Sequence, residues 1–258
     1  MWEIVCEPEF GCRVLFFSAP TQLVIFAVAR KRPAGNHFAQ YGVRNTARRS
    51  VSCVTNSAKP LDRRNIMDNV IGQIDRALDA TGAIVAAVEE AGLAAPTPCR
   101  DWDVRAVLNH TVGGMHIFAA ALSGTDAGAE HDSDWLGGDP QGAYAAAAEV
   151  DRAAWHRPDA LDGTVGISLG ELPGPAAALV HLTEVLVHGV DIAVAIDRTD
   201  LADDELCGEL LATMRAMGGI DSFRARGAFG PEVIVAEEEP AHRRLLAYVG
   251  REMLARTP

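Results

Sequence analysis

The amino-acid sequence predicts an all-α fold, most simply a four-helix bundle with additional C-terminal helices. After residue 66, apolar residues recur in successive segments at about 3.6-residue helical spacing. Segments rich in Gly, Pro, Asp and Ser separate these periodic segments. The two-residue alternation typical of strands is brief, at Val165, Ile167 and Leu169. Helices therefore account for most of the predicted structure.

The first two helices are predicted from their apolar periodicity and from the residues at their ends. The first spans residues 67–92, where Gly92 suits the C-terminal cap. Residues 95–99 contain two prolines and form a rigid connector. The second helix spans residues 103–123, and Asp103 is a suitable N-cap.

Four further helices are predicted, and the second of them is the most apolar. A helix rich in alanine ends before Pro158. The next helix is apolar around nearly its whole circumference, which indicates that it is buried. The four helices span residues 141–156, 174–197, 203–217 and 241–256.

The connecting segments are predicted to be loops or extended chain. The loop at 124–140, which contains His131 and Asp132, is rich in Gly, Asp and Ser. We interpret it mainly as solvated, with the alternative that it covers a functional site. Residues 159–173 are predicted to be extended or looped, and residues 229–235 to form a short extended segment.

The chain has two different compositions, which meet at Met67. Residues 1–66 carry ten Lys/Arg and four Asp/Glu, a net charge of +6, whereas residues 67–258 carry thirteen Arg, no Lys and 31 Asp/Glu, a net charge of −18. We expect residues 1–66 to be a disordered or mis-assigned N-terminal extension, with Met67 as the genuine start and 67–258 as the folded domain. The alternative is a weak membrane anchor at residues 14–29, a run that is short for a membrane span of about 20 residues.

Charge and cysteine content limit the partners of the domain. Its acidic balance argues against binding to nucleic acid or to an anionic membrane, because both would repel it. The two cysteines after Met67, Cys99 and Cys207, form no CxxC motif and indicate no disulfide framework. A reducing, cytoplasmic location is therefore expected. The sequence leaves the oligomeric state open, and a homodimer is one arrangement that it permits.

Four polar residues of the 174–197 helix fall on one narrow line of an otherwise apolar surface: His181, Glu184, His188 and Asp191. Buried polar groups need partners, and a divalent cation suits both a carboxylate and an imidazole. Glu184 and His188 are spaced i, i+4, so both project from one face. A third ligand has to come from another element.

His110 is the best candidate for that third ligand, because it lies at the edge of the apolar arc of the 103–123 helix. Two histidines and one glutamate would bind Zn²⁺ or a similar cation and leave a fourth position open. Asp191 is positioned to orient His188. His181 is a possible extra ligand, with simple packing in the core as the alternative. Two alternatives stay open at this point: hydrogen-bonded core histidines, or a narrow solvent-exposed face.

Two residues just before the second helix are assigned structural roles. Trp102 is interpreted mainly as an anchor where the helix begins, and less as a residue that shapes a pocket. Cys99 is interpreted as a buried, inert thiol rather than as a nucleophile or fourth ligand.

Three segments resemble the signatures of a known family. They are TPCRDWDVRAVLNHTVGG at 97–114, ELPG at 171–174 and HLTEVLVHGVD at 181–191, followed by FGPEV at 229–233. In order and spacing they resemble the mycothiol-dependent maleylpyruvate isomerase-like metal-binding proteins, DinB-like four-helix bundles that are frequent in actinobacteria. The resemblance extends from Met67 to about Glu252.

The resemblance implies a divalent metal, zinc above all, held by His110, Glu184 and His188. It further implies mycothiol as a thiol cofactor and a transferase or isomerase reaction on a small electrophile. The isomerase carries a further C-terminal domain that we do not expect in this chain. The alternative is therefore a non-catalytic metal-binding bundle with a structural or interaction role.

Overall fold

A computed structural model describes residues 63–167, 170–225 and 227–252, with side chains from residue 70 onward. The described part contains seven α-helices, two short 3-10 helices (Glu90–Gly92 and Thr199–Leu201) and one short hairpin. The helices are α1 (Arg63–Ala86), α2 (Val104–Ser123), α3 (Pro140–Trp155), α4 (Gly174–Ala195), α5 (Asp204–Ala216), α6 (Asp221–Arg224) and α7 (Ala241–Tyr248). The strands are β1 (Thr164–Ile167) and β2 (Gly170–Pro173), which pair antiparallel.

Helices α1 to α4 form the predicted bundle. Helix α1 packs against α3 and α4, and α2 packs against the same two helices, so the four enclose one core. The hairpin β1–β2 lies against α2 and the start of α4, while α5 packs on α7. The all-α prediction is therefore confirmed, with the additional helices on the C-terminal side.

Helix α4 lies at the centre of this core. It is long and apolar enough to cross a membrane, but 78% of its apolar window is buried inside the protein. That burial identifies it as the core helix of the bundle. Leu182, Leu186 and Ile192 are almost fully buried on it, as are Ile74 and Leu78 on α1.

Several predicted boundaries were wrong at the ends of helices. Helix α1 stops at Ala86, because its last turn tightens to i→i+3 hydrogen bonds and Glu89 is extended. Helix α7 stops at Tyr248, because Gly250 adopts a positive φ of 84°. The predicted N-cap Asp103 is confirmed, since its carboxylate accepts from the Ala106 amide at 2.8 Å.

The segments predicted as extended behave differently from one another. Residues 164–173 contain the hairpin, which the sequence did not predict as a pair of strands. Residues 229–235 contain no strand, although the Val233 amide donates to the Ala247 carbonyl. The N-terminal extension was predicted for residues 1–66. Residues 1–62 lie outside the described part of the chain, so this stays a prediction, and α1 begins at Arg63.

The contact between α1 and α4 depends on a glycine. A Cβ at Gly189 would lie closer to the Thr81 hydroxyl than van der Waals contact allows, and this hydroxyl donates to the Val185 carbonyl at 3.2 Å.

We expect Gly189→Ala to lower the free energy of unfolding by about 1–3 kcal/mol through overpacking, measured by urea denaturation. Gly72→Ala is the matched control, because nothing lies within 4 Å of its added Cβ. Because Ala favours a helix more than Gly does, Gly72→Ala should raise the free energy of unfolding by up to about 1 kcal/mol. Equal effects of both variants would contradict this account.

Candidate metal centre

The three side chains predicted as ligands come together between α2 and α4. The Nε2 atom of His110 lies 3.1 Å from Oε2 of Glu184, and the Nε2 atom of His188 lies 3.4 Å from the same oxygen. The three ligand atoms all lie within 4.8 Å of one another. Helix α4 contributes two of them from one face, and the crossing with α2 supplies the third.

These distances fit a tetrahedral cation. Bonds of about 2.0–2.1 Å to nitrogen and oxygen place neighbouring ligand atoms roughly 3.3 Å apart. The separations of 3.1 and 3.4 Å from the Glu184 oxygen lie on either side of that value. The side chains of His110 and Glu184 are 27% and 35% exposed, whereas that of His188 is 8% exposed. One side of the cluster is thus accessible from outside, as a fourth ligand would require.

Asp191 and Arg251 support His188 from behind. The His188 Nδ1 atom lies 3.2 Å from Oδ2 of Asp191, so this nitrogen donates to the carboxylate and Nε2 is directed towards Glu184. Arg251 donates through Nε to the same carboxylate oxygen at 3.2 Å. The predicted role of Asp191 thus has a structural basis, and Arg251 is an additional residue that the sequence reasoning did not assign.

Trp102 borders the site. Its ring centroid lies 4.7 Å from that of His110 and 5.9 Å from that of His188. The turn before α2 places it there, because the Thr97 hydroxyl and amide both donate to the Trp102 carbonyl. The interpretation of Trp102 mainly as a helix anchor was therefore incomplete, since its ring contacts both candidate ligands.

His181 belongs to a different cluster. Its Nε2 donates to Oδ2 of Asp151 at 2.7 Å, and both side chains are almost fully buried. Its ring packs against Phe118 and Trp155. Of the two interpretations of His181, an extra ligand or a packed core residue, the structure supports packing. Asp151 already binds its ring, and His181 is in neither candidate metal-ligating group of the described residues.

Cys99 forms an alternative group with two residues of α4. Its sulfur and the ligand atoms of His188 and Asp191 lie within 4.8 Å of one another. Burial raises the pKa of the Cys99 thiol to about 11, so the thiol is protonated at neutral pH. Asp191 in turn is already paired with Arg251. The set with His110 and Glu184 therefore offers the better ligands.

The pKa values reflect strong coupling within the cluster. Burial lowers the pKa of His188, but hydrogen bonds to Asp191 and Glu184 outweigh burial and raise it to about 9. Burial raises the pKa of Glu184, but hydrogen bonds from His110 and His188 hold it well below its ordinary value. The pKa of His110 is lowered, chiefly by burial. Without metal, the cluster thus holds a proton on His188.

A cavity of about 2020 Å³ opens onto the cluster. The loop at 124–139 lines one side, including His131, whose ring stacks on that of His110 with centroids 4.3 Å apart. Most of this loop is exposed, as the solvated interpretation predicts, but His131 is half-buried against the cluster, which agrees with the alternative that the loop covers the site. The pair Gly113-Gly114 was the available signal, because a Cβ at Gly113 would lie 2.6 Å from Trp135 Nε1.

Comparison with known proteins identifies the family. Residues 74–193 match the mycothiol maleylpyruvate isomerase N-terminal domain. Uncharacterized proteins of Mycobacterium tuberculosis, from strains CDC 1551 and H37Rv, are each 34% identical over 178 residues, covering 68% of this chain and 94% of their own length. The chain belongs to the mycothiol maleylpyruvate isomerase N-terminal domain family. That family's DinB-like helical domain corresponds here to the bundle, and the match includes all three candidate ligands. No solved structure gives a significant match.

The proton on His188 predicts a pH dependence of the metal-free protein. A raised pKa contributes stability that is complete below the ordinary value of 6.5 and is lost as the pH rises to about 9. The lowered pKa values of His110 and Glu184 act only below pH 6.5. We expect the free energy of unfolding to fall by up to about 3 kcal/mol between pH 6.5 and 9. His188→Gln should remove that fall in urea titrations, and an unchanged pH profile in this variant would refute the assignment.

Proposed function

We propose that this family member binds a divalent cation, zinc or a similar metal, through His110, Glu184 and His188. The observation that carries the proposal is the convergence of three ligand atoms, all within 4.8 Å of one another, on the wall of an open cavity. The two separations from the Glu184 oxygen, 3.1 and 3.4 Å, suit a tetrahedral cation. Two nitrogens and one carboxylate oxygen suit zinc and several other first-row metals.

We further propose that the site is catalytic and uses mycothiol as a thiol cofactor for a transferase or isomerase reaction on a small electrophile. The family description supports the choice of thiol. A bound metal at this site would supply a Lewis acid that lowers the pKa of a thiol. The chain's own residues would orient the ligands: Asp191 holds His188, and Trp102 borders the two imidazoles.

The surroundings of the site favour a small-molecule partner in a reducing compartment. Residues 67–258 carry a net charge of −18, which opposes nucleic acid and anionic membranes. Both cysteines in the described part are free thiols. We therefore propose a cytoplasmic protein, and the homodimer stays a prediction.

Metal content tests the ligand set. Elemental analysis of the purified full chain should give about one zinc per molecule, because the three ligands together bind one ion. His110→Ala, Glu184→Gln and His188→Ala should each lose most of it. Cys99→Ser is the matched control and should retain the metal. Loss in the Cys99 variant with retention in the His110 variant would assign the metal to the alternative group instead.

Thiol dependence tests the catalytic part of the proposal. With mycothiol, the zinc-loaded protein should consume maleylpyruvate or an activated halide, and mycothiol alone should raise its melting temperature. His110→Ala should show neither effect. Zinc binding without any thiol-dependent turnover or thermal shift would favour the non-catalytic bundle.

A further inference from the structure

The loop at 124–139 is attached to α2 by specific polar contacts. Asn109 joins the two, because its Nδ2 donates to the Ser133 carbonyl at 2.8 Å and its Oδ1 accepts from the Trp135 amide at 2.8 Å. The Trp135 ring stacks on His116 with centroids 5.0 Å apart. An asparagine that uses both ends of its amide fixes the loop in one register on the helix.

A close backbone approach completes this attachment. An added Cβ at Gly113 would lie 2.6 Å from Trp135 Nε1 and 3.1 Å from His131 Cδ2. Only a residue without a side chain therefore allows the loop to lie this near to α2. Trp135 Nε1 in turn donates to the Glu130 carbonyl at 3.1 Å, which braces the loop internally.

The attached loop places His131 against the candidate ligand His110. Nε2 of His131 lies 3.1 Å from the His110 carbonyl, and because a carbonyl only accepts, this nitrogen donates. The two rings are also nearly parallel, at 25°. His131 thus contacts both the backbone and the ring of His110.

We infer that His131 is a positioning residue of the metal centre, and that the loop at 124–139 holds the His110 ring in the orientation that directs its Nε2 towards Glu184. This inference rests on the proposed function. His110 is the more exposed of the two candidate histidine ligands and comes from a different helix from the other ligands, so its ring orientation is the least constrained by α4. Groups that orient a ligand from behind typically change metal affinity by about 10–100-fold.

Metal binding and the attachment of the loop to α2 are thermodynamically linked. If the attached loop favours metal binding, bound metal favours the attached loop by the same factor. Zinc should therefore protect residues 124–139 from proteolysis in the wild-type chain.

The experiment measures zinc affinity of the full chain by competition with a chromophoric chelator. His131→Ala should weaken binding about tenfold. His131→Phe keeps a ring for stacking and should recover part of that loss. His156→Ala is the matched control. His156 is also a histidine whose Nε2 has a polar partner, Oδ2 of Asp75 at 2.8 Å, but it is exposed and does not line the cavity. This variant should bind zinc as the wild type does.

The outcomes separate this inference from the proposed function. If the wild type binds zinc and His131→Ala binds it within twofold of His156→Ala, the inference is wrong and the proposed ligand set stands. If the wild type binds no zinc, both are wrong. If His131→Ala does not fold, the proteolysis of the wild type decides. The inference is wrong if saturating zinc does not slow cleavage within 124–139.

Discussion

The burial of α4 is the constraint on which the candidate site depends. This helix lies in the centre of the bundle, so each polar side chain on its inner surface needs a partner from another element. The partners come from three directions: Asp151 on α3 for His181, His110 on α2 for Glu184, and Arg251 after α7 for Asp191. The bundle, the cavity and the C-terminal segment thus meet at one line of residues.

The same line explains why the cluster suits a cation. His188 lies between the carboxylates of Glu184 and Asp191, and only Asp191 has a further cationic partner in Arg251. Two carboxylates beside one imidazole favour positive charge between them, which is why the pKa of His188 rises to about 9. A divalent cation bound to Nε2 would take the place of that proton and satisfy Glu184 more fully. In the proposed site, metal and proton would therefore compete for one position.

The sequence predicted those parts of the site that follow from local periodicity. Helical spacing alone placed Glu184 and His188 on one face, and the apolar arc of α2 placed His110 on the inner edge. His181 follows the same spacing, yet its partner is Asp151 on α3. Periodicity gives the face of a helix and does not give the partner.

The remaining residues depend on contacts between distant segments. Trp102 reaches both imidazoles through a turn stabilised by Thr97, and Arg251 reaches Asp191 because α7 ends early. The loop at 124–139 looks solvated from its composition, but the absence of a side chain at Gly113 lets it lie on α2. Such contacts are set by tertiary packing, and helical periodicity does not predict them; for the loop alone, the pair Gly113-Gly114 was a sequence signal.

Anomalous diffraction at the zinc absorption edge, from crystals of the zinc-loaded protein, tests the central claim most directly. We expect a peak about 2.0–2.2 Å from Nε2 of His110, the Glu184 carboxylate and Nε2 of His188. A peak between Cys99 and Asp191 instead, or no peak at this cluster in fully loaded protein, would contradict the account.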